Sequence, residues 1–178
     1  MRLFVGLWPP PDVLDALAGL PRPEHPSVRW TSPEQWHVTL RFLGEVAEDA
    51  VPALLDALLA VGRAAPPRAG IGPATSRLGR STLVVPVAGV DDLAAGVRDA
   101  TGRFGSPPEA RPFVGHLTLA RGRGGRPIPP ALGGRPVSAS WPVTAVALVR
   151  SRPGAGCATY ETVAEVSLGA PPAGPGSA

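Results

Sequence analysis

Apolar residues in this chain recur at two spacings, one typical of helices and the other typical of strands. Apolar positions three and four residues apart lie on one face of a helix, and this spacing predicts three helices. The first begins near Asp12, the second begins at Glu48 and Asp49 and stops at Gly62, and the third covers residues 91–104. Each is expected to bury its apolar face against a core.

Short runs rich in β-branched residues, several of them alternating between apolar and polar, predict strands beside these helices. A hairpin turn is predicted at residues 77–80, and the glycine- and arginine-rich residues 121–126 predict a loop. Helices and strands mixed in this way predict an α+β fold. The predicted strands are 2–7, 28–30, 36–43, 69–74, 82–87, 113–120, 143–150 and 159–168.

One four-residue sequence, His-x-Thr-Leu, occurs twice and uses two of the three histidines. In a strand, residues i and i+2 point to the same face. His37 and Thr39 are therefore expected to share one face, as are His116 and Thr118. Both copies stand in a strand–helix–strand context, which predicts an internal duplication with two similar halves.

Two such strands facing each other would place two imidazoles and two hydroxyls in one cleft. Imidazoles of opposite protonation state can take a proton from one oxygen and give a proton to another near neutral pH. Threonine hydroxyls can hydrogen-bond an anion that lies between them. The pattern therefore favours acid–base chemistry at an anionic group.

A metal site and a serine-nucleophile triad are the competing interpretations of these histidines. Zinc normally takes three or four protein ligands. Cys157 is distant from both motifs in sequence, and His25 stands in a predicted loop, Pro23-Glu24-His25-Pro26. Neither motif has a carboxylate two or four residues after its histidine. The chain has no Gly-x-Ser-x-Gly sequence for a nucleophilic serine. We expect neither a metal nor a cofactor.

The composition limits the kinds of catalysis that the chain can perform and indicates the compartment in which it works. All 17 basic residues are arginine, which excludes a Schiff-base or P-loop lysine, and the net charge of +3 supports a phosphorylated ligand. A general compositional bias towards arginine is the alternative explanation. The single cysteine excludes an intramolecular disulfide. With no leader and no apolar run of about 20 residues, we expect a cytoplasmic protein.

The doubled motif and its flanks resemble those of the two-histidine phosphoesterase superfamily, and within it the RNA 2',3'-cyclic phosphodiesterases, also named 2'-5' RNA ligases. The resemblance extends over about residues 1–168. Gly115 is a departure, because the family usually has proline before the second histidine. The residues that carry the resemblance are 2–7, 36–44, 111–113, 116–121, 146–151, 156 and 160.

The resemblance implies an α+β fold of two lobes related by a pseudo-twofold axis. In such a fold, two antiparallel sheets line a central cleft, with the helices outside and one motif strand from each lobe. It also implies a single domain over residues 1–168. Residues 169–178, rich in Pro, Gly and Ala, are expected to form a disordered tail, and nothing demands more than a monomer.

The activity that the resemblance implies is metal-independent hydrolysis of an RNA or nucleotide 2',3'-cyclic phosphate to a 2'-phosphate, without a cofactor. His37 is expected to act as the acid and His116 as the base, although the pseudo-symmetry leaves their order open. Phosphate binding is expected from Thr39, Thr118 and Arg121.

Four further residues are candidate substrate contacts. Arg41 lies four positions after His37 and therefore shares its face by strand parity. An aromatic ring can stack on a nucleobase, and core packing is the alternative use. The aromatic candidates are Phe4, Trp36 and Tyr160.

Two alternative functions remain open. The same histidines would serve the reverse reaction, 2'-5' ligation, with their roles exchanged. A non-catalytic module that binds RNA ends is the alternative from another class, but arginine alone would serve phosphate binding. In each case the expected partner is an RNA end or a nucleotide that carries a 2',3'-cyclic phosphate, and no membrane is involved.

Overall fold

Ten strands and three α-helices form from the residues that the computed structural model describes, 1–154 and 157–169. The helices are α1 (Pro11–Ala18), α2 (Val51–Val61) and α3 (Asp91–Thr101). The strands are β1 (Arg2–Leu7), β2 (Val28–Trp30), β3 (Val38–Glu45), β4 (Arg68–Ile71), β5 (Ser76–Leu78), β6 (Thr82–Ala88), β7 (His116–Gly122), β8 (Ala139–Pro142), β9 (Ala145–Arg152) and β10 (Thr159–Ser167).

The strands pair antiparallel in the order β10-β9-β1-β3-β7-β6-β4-β8, with β2 beside β7 and β5 beside β6. A single residue pair, Val38 with Leu117, joins β3 to β7. The sheet therefore consists of two antiparallel halves that meet at the two motif strands. The prediction of an antiparallel α+β fold is confirmed.

The two motif strands have equivalent neighbours. β3 follows β1 and α1 along the chain, and β7 follows β6 and α3. In the sheet, β1 pairs with β3 as β6 pairs with β7. This order agrees with an internal duplication, which stays a prediction.

The two faces of the sheet carry different apolar clusters. Leu3 and Val5 of β1 are fully buried in the large core cluster, together with Leu54 of α2. Phe4 points to the opposite face, because side chains alternate along a strand, and it belongs to a small cluster with Val149. The helices thus cover one face of β1, and the other face is left for the cleft described below.

Both motif strands begin later than predicted. β3 begins at Val38 instead of Trp36, and β7 begins at His116 instead of Phe113. Each motif histidine therefore stands at the entrance to its strand. There its side chain is held by the connection that leads into the strand as well as by the sheet.

The predicted hairpin turn is misplaced, and two strands, β5 and β8, are missing from the prediction. Arg77 and Leu78 are paired residues of β5, so the turn to β6 follows them. β8 pairs with β4 alone and ends on Pro142, which fits an edge strand. It escapes prediction because it is short and contains proline. α3 ends at Thr101, before Gly102, and leaves Phe104 outside the helix.

Two other expectations concern the ends of the chain and the membrane. Gly169 is the last described residue, so the predicted tail otherwise lies outside the described residues, and the single domain over 1–168 stays a prediction. In the part of the chain that the structure describes, no helix is both long and apolar enough to cross a membrane.

Candidate active site

The structure brings His37 and His116 to one cleft of about 480 Å³, where the two halves of the sheet meet. Thr39, Thr118 and Arg121 line the same cleft, and no Asp or Glu does so among the described residues. Its chemistry is therefore that of imidazoles, hydroxyls and guanidinium groups. The other lining residues are Arg2, Phe4, Arg29, Thr31, Gln35, Phe42, Ser151, Pro153, Ala158 and Tyr160.

A second cavity, of about 440 Å³, lies between α2 and α3 on the helical side of the sheet. It is lined mostly by small and apolar residues, and Asp92 is its one ionisable lining residue among those described. A single carboxylate offers no acid–base pair, so the cleft is the candidate active site.

The two histidines are held in the same way. Nδ1 of His37 lies 2.8 Å from the carbonyl oxygen of Gln35, and Nδ1 of His116 lies 2.7 Å from that of Val114. A carbonyl oxygen can only accept a hydrogen bond, so Nδ1 carries the proton in each neutral ring. Nε2 is then left with its lone pair for proton transfer in both residues.

The surroundings of the two rings differ. Phe4 stacks on His37 with ring centroids 4.7 Å apart, and the edges of Tyr160 and Trp8 face it at 4.7 and 5.7 Å. Among the described residues, no aromatic ring packs against His116 in this way. The cleft therefore contains one imidazole within an aromatic box and one that is more open.

Burial in the aromatic box lowers the pKa of His37 to about 4, because it disfavours the charged ring. The positive charges of Arg121 and His116 lower this pKa further, and the Gln35 carbonyl opposes the shift. His37 is therefore neutral at pH 7 in the free protein.

This pKa makes the stability of the fold depend on pH. An unfolded histidine has a pKa of about 6.5, so between pH 6.5 and 4 the unfolded chain binds a proton that folded His37 does not. We expect the His37 contribution to the free energy of unfolding to fall by about 2 kcal/mol from pH 7 to pH 5. Urea unfolding at both values checks this expectation.

Two variants serve as controls for this measurement. His37→Asn removes the titrating group, and we expect it to lose less stability than the wild type over the same interval. His25→Asn changes an exposed histidine beside Ser27 and should retain the wild-type loss. Equal losses in wild type and His37→Asn would contradict the expectation.

Both motif strands carry an irregularity directly after their threonine. In the pairing of β3 with β1, Leu40 has no partner residue, and in the pairing of β7 with β6, Leu119 has none. An unpaired residue reverses the alternation of faces beyond it. The third residue after each threonine, Phe42 in one strand and Arg121 in the other, therefore faces the cleft.

Arg41 does not lie at the cleft, and its assignment as a substrate contact is wrong. The irregularity at Leu40 turns its side chain to the opposite face, where Arg41 is only 6% exposed. Its Nη1 donates to the hydroxyl of Thr101, and its Nη2 donates to the carbonyl oxygens of Phe104 and Ser106, both at 3.0 Å. Arg41 ties the first motif strand to the end of α3.

Trp36 does not reach the cleft either, which corrects its assignment. It is 1% exposed in the core cluster, because the residue before His37 points to the other face. Its Nε1 donates to the hydroxyl of Thr31 at 3.0 Å, and the guanidinium of Arg22 lies 4.5 Å from its ring centre. Core packing is the use that the structure gives this ring. Phe4 and Tyr160, by contrast, line the cleft.

Several cleft residues lie outside the set considered from the sequence. Arg2 precedes Phe4 by two positions in β1, so strand parity was a usable signal for it. Arg29 and Gln35 carry no such signal, because a short strand and a connection bring them to the cleft. Nε2 of Gln35 donates to the carbonyl oxygen of Ala158 at 2.8 Å and joins that connection to the β9–β10 hairpin. Gly156 lies outside the described residues.

Metal-binding side chains are not grouped in the described residues, since no three of His, Cys, Asp and Glu come together there. His25, the third histidine, lies in an exposed connection beside Ser27 rather than at the cleft. The cleft thus offers two imidazoles with a backbone carbonyl behind each, which is a donor set suited to moving protons.

Comparison with known proteins places the chain among the phosphoesterases. The model of the LigT like Phosphoesterase family matches residues 7–72. The RNA 2',3'-cyclic phosphodiesterase of Thermus thermophilus is 34% identical over 173 residues, which cover 85% of this chain and 82% of that protein. The chain belongs to the LigT-like phosphoesterase family. The expectations of this family and of an enzyme are therefore confirmed.

Solved structures of relatives are similar to this LigT-like phosphoesterase over nearly its whole length. A crystal structure from T. thermophilus matches with a TM-score of 0.76 and 29% identity, over 95% of this chain and 98% of the other. E. coli LigT complexed with 3'-AMP matches with a TM-score of 0.71 and 27% identity, over 94% and 97%. The antiparallel sheet with the helices on one side is thus the fold of the family.

Proposed function

We propose that this chain hydrolyses the 2',3'-cyclic phosphate of RNA or nucleotide ends to a 2'-phosphate, with His37 and His116 as the acid–base pair. The supporting observation is the matched pair of imidazoles in one cleft, each bonded through Nδ1 to a backbone carbonyl. The relative from T. thermophilus carries the name of this activity. A relative crystallised with 3'-AMP supports a nucleotide as the ligand.

The reaction needs a base for the attacking water and an acid for the departing ribose oxygen. In a 2',3'-cyclic phosphate, attack on phosphorus breaks the bond to the 3' oxygen, which takes up a proton as it leaves, while the 2' oxygen keeps the phosphate. One neutral imidazole accepts the proton of the water, and one imidazolium supplies the proton of the leaving group. The two Nε2 atoms are the groups available for these transfers.

The order of the two histidines is the finer part of the proposal. We assign His116 as the base and His37 as the acid. The low pKa of His37 keeps its imidazolium scarce in the free protein, but an imidazolium of low pKa gives up its proton readily. The anionic phosphate entering the cleft raises the pKa of a nearby imidazole and restores the charged form.

Charge on the phosphate grows in the transition state, and the remaining cleft residues are suited to stabilise it. Thr39 and Thr118 supply hydroxyl donors beside the two histidines, and Arg121 supplies a planar guanidinium. Its charge already lowers the pKa of His37, so it lies within electrostatic reach of the reacting groups. Metal independence is part of this proposal, because the donor set moves protons and stabilises charge by itself.

The test uses a short RNA ending in a 2',3'-cyclic phosphate, with EDTA present. We expect the wild type to convert it to an end carrying a 2'-phosphate, identified by mass and by resistance to an enzyme specific for 3'-phosphate. Full loss of activity in EDTA, restored by a divalent metal, would contradict the metal-free mechanism. Binding without conversion under all conditions would favour the RNA-end binding module instead.

A further inference from the structure

The cleft carries more positive charge than a cyclic phosphate requires. Three guanidinium groups line it, those of Arg2, Arg29 and Arg121, and no carboxylate lines it among the described residues. A 2',3'-cyclic phosphate is a diester with a single negative charge. If Arg121 serves that phosphate, two guanidinium groups remain beside it.

Arg29 and Arg121 are directly opposed residues of β2 and β7. Directly opposed residues of antiparallel strands have Cβ atoms about 5 Å apart on the same face, and like charges in this arrangement are destabilising. Within the described residues, neither arginine forms an ion pair or a side-chain hydrogen bond that would offset the repulsion. Anions bound at both guanidinium groups would offset it.

The three arginines differ in their place along the cleft. Burial raises the pKa of Tyr160, and the charges of Arg121, Arg29 and Arg2 oppose that shift. After burial, the charge of Arg121 also lowers the pKa of His37. Arg121 lies in β7, the strand that begins with His116, whereas Arg29 lies opposite it in the neighbouring strand β2. The guanidinium of Arg2 lies 4.8 Å from the ring centre of Phe42 and already has a partner.

The backbone holds Arg29 firmly in this position. Its neighbours Val28 and Trp30 also pair with β7, and Val28 is buried. Nε1 of Trp30 donates to the carbonyl oxygen of Pro23 at 3.1 Å, which fixes the far side of β2. The backbone of Arg29 is thus fixed through both neighbours, which places the start of its side chain beside Arg121, while its guanidinium keeps no protein partner of its own among the described residues and is available to an anion.

We propose that Arg29 forms a second phosphate subsite, which binds the phosphate on the 5' side of the nucleotide that carries the cyclic phosphate. This proposal rests on the proposed function, and it defines the substrate as a cyclic nucleotide with a phosphate at its 5' position. In RNA that phosphate is the diester to the preceding nucleotide. The enzyme therefore favours RNA ends over adenosine 2',3'-cyclic phosphate.

Three substrates distinguish a contact with the 5' phosphate from a contact with the preceding nucleoside. Adenosine 2',3'-cyclic phosphate has no 5' phosphate, its 5'-phosphorylated form adds a monoester, and the dinucleotide with a terminal cyclic phosphate adds a diester and a nucleoside. At low ionic strength, we expect kcat/KM to rise about tenfold or more for both phosphorylated forms, the size expected for charge-assisted hydrogen bonds. Arg29→Gln should remove this gain, so that kcat/KM falls further for the two phosphorylated forms than for the unphosphorylated nucleotide.

Two further variants make the result specific. Arg29→Lys keeps the positive charge but loses the paired donors of the planar guanidinium, and it should retain part of the increase in kcat/KM. Arg63→Gln removes an exposed arginine after α2, on the helical side, and should retain all of it. Equal kcat/KM for the three substrates in the wild type would overturn the subsite and leave the proposed function standing. A gain with the dinucleotide alone would assign the contact to the nucleoside and also overturn it. Hydrolysis of none of the three would overturn the proposed function itself.

Discussion

Replacing either motif histidine with alanine is expected to lower kcat for a 2',3'-cyclic phosphate by about 10²–10⁴-fold, the usual contribution of one positioned acid or base. Each imidazole presents Nε2 to the cleft because its Nδ1 is bonded to a backbone carbonyl, and no other histidine and no carboxylate lines the cleft among the described residues. A quenched-flow or gel assay of His37→Ala and His116→Ala with a short cyclic-phosphate RNA measures the loss.

The matched control is His25→Ala, which removes the third histidine from an exposed connection outside the cleft. It should keep wild-type kcat. Since the two motif histidines act in one step, the double variant should lose little more than the worse single variant. A single substitution that leaves kcat within tenfold of the wild type would remove that histidine from the mechanism.

Substitution of both histidines by asparagine distinguishes an enzyme from a binding module. Asparagine keeps hydrogen-bonding capacity but cannot transfer the proton, so binding of the cyclic-phosphate RNA should largely survive. Arg121 and the two threonines remain in place to hold the phosphate. Such a variant is also the form in which the affinity for uncleaved RNA can be measured.

The sequence was most informative where a residue pattern was repeated. Two copies of His-x-Thr-Leu, with alternation that places His and Thr on one face, were enough to predict a shared cleft holding both pairs. The structure brings all four side chains together at one junction of the sheet. The helices were equally accessible from the sequence, because i, i+3 and i+4 spacing reports the buried face directly.

Strand parity failed where the strands are irregular. Counting in twos from His37 predicts Arg41 at the cleft. Because Leu40 is unpaired, the side chain of Arg41 points towards α3 and that of Phe42 faces the cleft instead. The equivalent unpaired Leu119 is the reason why Arg121, an odd number of residues from its histidine, reaches the cleft. Nothing in the local sequence marks such a residue, because its position depends on the neighbouring strand.

Residues on a short strand and on a connection were the other group that the sequence did not reveal. Arg29 reaches the cleft because β2 adds to β7 far along the chain, and Gln35 reaches it through a bond to the β9–β10 hairpin. These are long-range contacts, and periodicity reports only local structure. Trp36 shows the same limit, because a single aromatic residue next to a histidine gives no sign of which side of the sheet it faces.

Replacing Thr118 with valine is expected to lower kcat by about 10²-fold, the size found when one donor to a developing oxyanion is removed. Valine has nearly the shape of threonine and also suits a strand, so the ladder between β6 and β7 should persist. Only the hydroxyl is lost. Since that hydroxyl stabilises charge that grows in the transition state, kcat should fall more than KM rises.

The equivalent substitution at Thr39 tests whether the two halves of the cleft share the phosphate oxygens. We expect Thr39→Val to lower kcat to a similar extent, and Thr118→Ser and Thr39→Ser to retain most activity because they keep the donor. Thr159→Val, an exposed threonine of β10, is the control for the loss of a hydroxyl elsewhere. If both valine variants raise KM and leave kcat unchanged, the threonines bind the ground state alone. The stabilisation of the transition state would then rest on Arg121 and the two imidazoles.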